Sequence, residues 1–97
     1  MNYKTYDFEE TMSLSLENSF GTLDQEDGVK IKISIGIDKE EGEGYFEFYD
    51  IESGGEDWHA EGGLWFDGNE LTDYDGVFDL PTPIKTKLRE LNYKVNF

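Results

Sequence analysis

The chain has 97 residues, of which 36% are hydrophobic and 15% aromatic, and 23 acidic against 8 basic residues give a formal net charge of −15. Chains of high net charge stay unfolded when they have few aromatic residues, but 7 Phe, 6 Tyr and 2 Trp can form a core, so we expect a single acidic domain over residues 1–97. The lack of cysteine excludes disulfides and thiolate metal sites, and no run approaches the roughly 18 apolar residues of a membrane span.

The N-terminal residues carry two overlapping patterns. Apolar residues alternate with serine from residue 12 to residue 16, as in a β-strand. The same segment also has the spacing of a helix stripe, at Phe8, Met12, Leu16 and Phe20. We predict a strand from about Thr11 to Glu17 and keep the helix as the alternative.

Residues 29–37 form the clearest element of the sequence. β-branched residues occupy every second position, as in a half-buried strand: Val29, Ile31, Ile33, Ile35 and Ile37. A polar loop with two glycines follows at 38–44, and the aromatic segment 45–49 comes next. This order predicts an antiparallel hairpin.

The segment from 53 to 80 predicts further strands separated by glycine-rich turns. Ser53-Gly54-Gly55 ends the second strand, and 58–66 forms another, with Gly62-Gly63 as a candidate bulge. The turn Asp67-Gly68-Asn69 predicts that 70–74 pairs back. Residues 77–80 form one more short strand in this prediction.

The C-terminal part predicts a short helix. Thr82 serves as its N-cap and Pro83 as a first-turn proline, and Ile84, Leu88 and Leu91 lie on one helical face. The predicted fold is α+β, an antiparallel β-sheet of four to six strands with a C-terminal helix packed on one face.

Residues with catalytic or metal-binding chemistry form no recognisable motif. Asp57, His59 and Glu61 alternate along a predicted strand and would share a face about 6–7 Å apart. With one histidine and no cysteine in the chain, we favour a solvent-facing strand over a metal site there. No Ser/His/Asp or phosphate-loop spacing is present. We expect a protein that is not an enzyme and needs no cofactor.

The acidic residues are unevenly distributed. Residues 1–80 hold 22 acidic and 4 basic residues, whereas 81–97 hold 4 basic and 1 acidic. Carboxylates on alternate strand residues lie about 6–7 Å apart, comparable to two steps of about 3.4 Å along a DNA strand. The pattern favours a protein that enters a partner's basic nucleic-acid-binding site and does not bind nucleic acid, small molecules or membranes itself. A merely solvated acidic surface is the alternative.

The acids that we predict to bind the partner crowd the loops and hairpins. They are Asp24, Glu26, Asp27, Glu40, Glu41, Glu43, Glu56, Asp57, Glu61, Asp73 and Asp75.

Size, the acidic body and two aromatic-rich segments, 45–50 and 54–66, resemble the small phage-encoded anti-CRISPR proteins. The resemblance is to the DNA-mimicking inhibitors of type I-F surveillance complexes in particular. It implies an inhibitor in the cytoplasm of the infected bacterial host that occupies the duplex-DNA site of an RNA-guided complex and excludes target DNA. Two further classes use the same physics: an acidic immunity or antitoxin protein that covers the basic cleft of a nuclease, and an anti-restriction protein.

Overall fold

The structure is a computed structural model that describes residues 3–17, 23–56, 59–77 and 79–97, with only the backbone described at 14–17 and 23–26. The described residues form five strands and one helix: β1 (Lys4–Glu17), β2 (Leu23–Asp38), β3 (Glu43–Asp50), β4 (His59–Asp67), β5 (Glu70–Tyr74) and α1 (Thr82–Glu90). Each strand pairs antiparallel with the next, in the order β1-β2-β3-β4-β5. The predicted α+β class with an antiparallel sheet is confirmed.

One side of the sheet, which we call the apolar face, carries the core. β2 contributes four isoleucines that are each at most 4% exposed: Ile31, Ile33, Ile35 and Ile37. On β3, Phe46 pairs with Ile35 and Phe48 pairs with Ile33, and the two rings stack with centroids 5.7 Å apart. Leu64 of β4 is buried in the same cluster. Burying one such side chain contributes about 1.5–3 kcal/mol, so this ladder is a main source of stability.

β1 begins at Lys4, well before the predicted start near Thr11. Tyr6 pairs with Ile35 and Phe8 with Ile33, so both aromatic residues lie on the apolar face. The helical alternative is wrong for this segment, because residues 8, 12 and 16 all lie in the strand; Phe20 is outside the described residues. The prediction placed the start of β1 too late, because acidic residues surround Phe8 and obscure the apolar–polar alternation of residues 4–10. These residues form a strand by pairing with β2.

The first two strands extend beyond the rest of the sheet. β3 pairs with β2 only from Ile31 to Asp38, whereas β1 also pairs with the earlier part of β2. Residues 11–17 and 23–30 therefore form a two-stranded ribbon, with a register shift between Met12 and Leu14. This β1–β2 ribbon agrees with the elongated shape of the molecule, 42 × 23 × 22 Å.

Two buried carboxylates shape the turns on either side of β3. At the β2–β3 turn the Gly42 N–H donates to the Asp38 carbonyl at 3.0 Å, and the Glu41 N–H donates to Asp38 Oδ1 at 3.2 Å. After β3, Asp50 accepts hydrogen bonds from the Ser53 hydroxyl and, at 3.1 Å, from the Gly55 N–H. Asp38 and Asp50 are 4% and 8% exposed. These two acids serve the fold.

The predicted bulge at Gly62-Gly63 is wrong. Both glycines continue the β3–β4 ladder without interruption, and the register shift in β4 lies between Trp65 and Phe66 on the β5 side. Gly62 is needed for another reason, since a Cβ at this position would collide with the carbonyl oxygen of Asp75. The segment that follows β5 therefore crosses β4 at close range.

The C-terminal part differs from the prediction at two points. Val77, Asp79 and Leu80 are not in a strand, and Phe78 lies outside the described residues. Thr82 is the first helical residue and not the N-cap; that position is taken by Pro81, with no side-chain cap, because the backbone of Pro81 is extended (φ −57°, ψ 141°).

The helix and the residues after it join the core. Ile84 and Leu88 are fully buried in the cluster that contains the β2 isoleucines. The Leu71 N–H donates to the Lys94 carbonyl at 2.9 Å, and the Lys94 N–H donates to the Asn69 carbonyl at 2.7 Å. Across the described residues, no helix has both the length and the apolar character to traverse a bilayer.

Candidate partner-binding surface

The side of the sheet opposite the core, which we call the polar face, is lined by β3 and β4. Side chains of a strand alternate between faces, so the residues out of phase with Phe46 and Phe48 point here. They are Tyr45, Glu47 and Tyr49 of β3 and His59, Glu61, Gly63 and Trp65 of β4. All are half-buried or exposed. The polar face therefore combines aromatic rings, carboxylates and glycine.

Glycines create a depression in the polar face, which we call the glycine groove. Gly63 lies directly opposite Tyr45, so the residue paired with Tyr45 contributes no side chain to this face. The Trp65 ring folds back over Gly63, as the distance of 2.8 Å between Trp65 Cη2 and a Cβ added to Gly63 shows. On the other side, the Tyr45 ring lies over Gly36, where a Cβ would collide with it. The groove measures about 540 Å³.

Three carboxylates line the glycine groove together with the two rings. Glu47 and Glu61 are directly paired across β3 and β4. Asp75 reaches the groove from the segment after β5, where its Oδ1 accepts a hydrogen bond from the Gly63 N–H at 2.6 Å. The Asp75 N–H donates to the Gly63 carbonyl at 3.1 Å. Asp75 is thus held at a fixed position by two hydrogen bonds to one glycine.

The two rings of the groove differ in their surroundings. Trp65 is 39% exposed, although tryptophan is usually among the more buried residues. Tyr45 packs edge-to-face with Tyr3, with ring centroids 5.2 Å apart. An exposed tryptophan on a polar face offers a large apolar surface to a ligand.

A histidine joins two of the carboxylates. His59 Nε2 lies 3.2 Å from Glu47 Oε1, and one ligand atom from each of Glu47, His59 and Glu61 lies within 4.8 Å of the others. Such N and O donors can ligate a divalent cation. The hydrogen bond between His59 and Glu47 by itself accounts for their close contact, and all three side chains face solvent. The trio considered from the sequence contained Asp57, which lies outside the described residues.

The eleven acids predicted to bind a partner fall into separate places. Glu61 and Asp75 lie at the groove, and Asp73 pairs with Trp65 beside it. Glu43 pairs with Trp65 from the other side, at the end of a turn that exposes Glu40 and Glu41. Four acids lie away from the groove, on the ribbon or in the β3–β4 connection: Asp24, Glu26, Asp27 and Glu56.

The ribbon acids are described unequally. At Asp24 and Glu26 only the backbone is described; Asp27 accepts a hydrogen bond from the Ser13 hydroxyl at 2.8 Å. The ribbon is thus a second acidic region, distinct from the groove.

Sequence reasoning missed Glu47, Tyr45 and Trp65 as members of the site. The available signal was their phase: Tyr45 and Glu47 are out of step with the apolar Phe46 and Phe48, which places them on the solvent side of the strand. The proximity of Asp75 carried no such signal, because it depends on a contact between residues 12 positions apart.

Comparison with known proteins adds no relative to these observations. No family model, curated protein or solved structure matches the chain.

Proposed function

We propose that this protein is an inhibitor that occupies the basic nucleic-acid-binding site of another protein and has no chemistry of its own. The observation that carries the proposal is the convergence of Glu47, Glu61 and Asp75 on one groove of a rigid sheet. Among the described residues, the basic side chain found in contact with these carboxylates is His59, which lies against Glu47. The negative charge is therefore left available for a cationic partner.

The sheet sets the spacing of this charge. Directly paired residues on neighbouring strands have Cβ atoms about 4.5–5.5 Å apart, and alternate residues along a strand lie about 6–7 Å apart. A lattice of this kind presents carboxylates at separations like those between phosphates on a nucleic acid. Backbone hydrogen bonds fix the lattice, so little ordering entropy is lost on binding.

The basic residues of the helix are placed away from this lattice in our proposal, whereas Lys30 and Lys32 of β2 alternate with the buried isoleucines and lie on the polar face, with Lys32 paired to Tyr49. We infer that α1 covers the apolar face, because Ile84 and Leu88 belong to the buried cluster of that face. Lys87 Nζ lies 5.0 Å from the ring centroid of Phe8, whose side chain is on the same face. The cations of the helix would then lie across the sheet from the groove, and the polar face would keep its negative field.

The target that we propose is the duplex-DNA site of a CRISPR RNA-guided surveillance complex, in the cytoplasm of an infected bacterium. The acidic polar face supports this choice together with the resemblance in size and character to DNA-mimicking anti-CRISPR proteins. DNA would be excluded by competition for the same lysines and arginines. A nuclease or a restriction enzyme has a basic cleft of the same kind and is the alternative target.

The test is a competition experiment with a purified type I-F surveillance complex and its duplex DNA target. Inhibition of DNA binding should be lost in the triple variant Glu47→Gln/Glu61→Gln/Asp75→Asn. It should be kept in a charge-matched control, Asp7→Asn/Glu10→Gln/Glu52→Gln, whose three exposed acids lie outside the groove. Equal inhibition by the two triple variants would contradict the proposal. Inhibition of a nuclease and not of the surveillance complex would support occupation of a basic nucleic-acid-binding site, with the nuclease as the target.

A further inference from the structure

We propose that the glycine groove receives the guanidinium group of an arginine side chain from the partner. The inference rests on the proposed function, which requires a basic partner, and it specifies which cation the groove selects.

The shape of the groove suits a flat group. Its floor at Gly63 carries no side chain of its own; the Trp65 ring folds over this glycine, and Tyr45 lies opposite it with its ring toward Gly36. A guanidinium is planar and stacks on aromatic faces, whereas a lysine ammonium is compact and strongly hydrated. A cation above an aromatic ring gains about 0.5–1 kcal/mol at an exposed site and more when water is excluded, and tryptophan is the best of the rings.

The charges of the groove suit the same group. Glu47 and Glu61 stand side by side on adjacent strands, and Asp75 lies on the β5 side of Gly63. A guanidinium offers five N–H donors in a fixed fork, so it can bridge neighbouring carboxylates with charge-assisted hydrogen bonds. It would also relieve the repulsion between Glu47 and Glu61. An anionic ligand would be repelled, and a purely apolar one would leave the carboxylates desolvated without a partner.

The exposure of Trp65 fits a role in the complex. Binding energy at protein interfaces is concentrated in a few residues, with tryptophan, tyrosine and arginine enriched among them. An arginine stacked on Trp65 and surrounded by carboxylates has this composition. Trp65 is thus expected to act as an anchor that becomes buried when the partner binds.

The experiment titrates the whole protein with N-acetyl-arginine amide and, separately, N-acetyl-lysine amide, monitored by ¹H–¹⁵N NMR in the presence of EDTA. The arginine probe should give saturable shifts at the Trp65 indole N–H and the Gly63 amide. The lysine probe should bind about two- to fivefold more weakly, the ratio that the ring contribution corresponds to. Equal affinity for the two probes, or shifts spread over the surface, would overturn the inference.

Two variants and one control complete the test. Trp65→Leu keeps an apolar side chain without a ring face and should remove the preference for arginine. Glu61→Gln should weaken both probes and, because it alters only one charge, keeps the fold. Asp7→Asn, on the same side of the sheet but three strands from Glu61, should change neither. A shift of the Trp65 signal with Zn²⁺ in EDTA-free buffer, and none with arginine, would overturn the inference in favour of a metal site.

The outcomes separate this inference from the proposed function. If the triple carboxylate variant loses partner binding while Trp65→Leu binds as tightly as the parent, the proposed function is supported and the arginine site is contradicted. If the arginine probe fills the groove while the triple variant still inhibits the target, the arginine site stands and the proposed function falls.

Discussion

Glu47 and Glu61 are directly paired across the antiparallel strands β3 and β4, so two like charges face each other near the centre of the polar face. Like charges at directly opposed positions destabilise a sheet. The pair is tolerated because the opposite face of the same strands buries Phe46, Phe48 and Leu64. The sheet thus combines a stabilising face with a face that carries unfavourable electrostatics.

Removing one charge of this pair should stabilise the protein. We expect Glu61→Gln to raise the free energy of unfolding by about 0.2–1 kcal/mol, since it removes the repulsion and leaves the His59–Glu47 contact in place. Glu47→Gln should gain less, because it also weakens the contact with His59. Urea unfolding at neutral pH and low salt measures both. A loss of stability in Glu61→Gln would contradict the repulsion.

Complex formation with the basic partner should depend steeply on salt. Surface charges are screened over a Debye length that falls from about 10 Å at 0.1 M to about 3 Å at 1 M. The dissociation constant should therefore rise strongly between about 0.05 and about 0.5 M salt. The triple variant of Glu47, Glu61 and Asp75 should show a shallower slope, because fewer carboxylates take part. An affinity that does not change with salt would mean an apolar interface.

Gly62 should be intolerant of a side chain. A Cβ at this position would collide with the Asp75 carbonyl and lie 2.6 Å from Phe46 Cζ. We expect Gly62→Ala to lower the free energy of unfolding by about 1–3 kcal/mol, as overpacking does. Gly68→Asn is the matched control: its φ is +60° and no atom lies within 4 Å of an added Cβ, and asparagine tolerates this conformation. Chemical denaturation of both variants checks the difference.

Tyr93 should make stability fall at alkaline pH. Burial, and secondly the charge of Tyr6, raises the pKa of Tyr93 above its ordinary value of 10.0. The unfolded chain therefore releases this proton at lower pH than the folded protein does. The free energy of unfolding is unaffected below about pH 10 and declines as the pH rises from there through the raised pKa.

The corresponding variants separate the two causes. Tyr93→Phe should flatten the alkaline decline, and Tyr6→Phe should flatten it less, since it removes only the secondary cause. Urea denaturation between pH 9 and 11 provides the comparison. The same decline in Tyr93→Phe and in the parent protein would show that other groups control it.

Much of the sheet follows from local sequence, because its signals are local. The alternation from Val29 to Ile37 and the glycine-containing turns before β3, β4 and β5 carry their own geometry. The extent of β1 does not follow from local sequence, since Phe8 and its acidic neighbours form a strand only by pairing with β2. Helix capping was predicted wrongly at Thr82, because Thr82 already belongs to the helix and Pro81, whose backbone is extended, takes the N-cap position.

The candidate site was less predictable than the fold. Glu61 and Asp75 were identified as acidic residues on the second hairpin, but nothing local places them beside Tyr45 and Trp65. That neighbourhood depends on the register of β3 and β4, which are joined by an eight-residue connection between Asp50 and His59 and not by a short turn that would define the register. Register of this kind is fixed by which residues the whole sheet buries.

The backbone hydrogen bonds that join Lys94 to Asn69 and Leu71 have a consequence for folding during synthesis. Ribosomes synthesise a polypeptide from its N-terminus at about 5–20 residues per second, so Tyr74, the last residue of β5, precedes Val95 by about one to four seconds and the other strands precede it by longer. Until then the isoleucines and phenylalanines of the apolar face lack Ile84, Leu88 and Val95, which complete their cluster. The buried cluster is therefore complete only after residue 95 has left the ribosome.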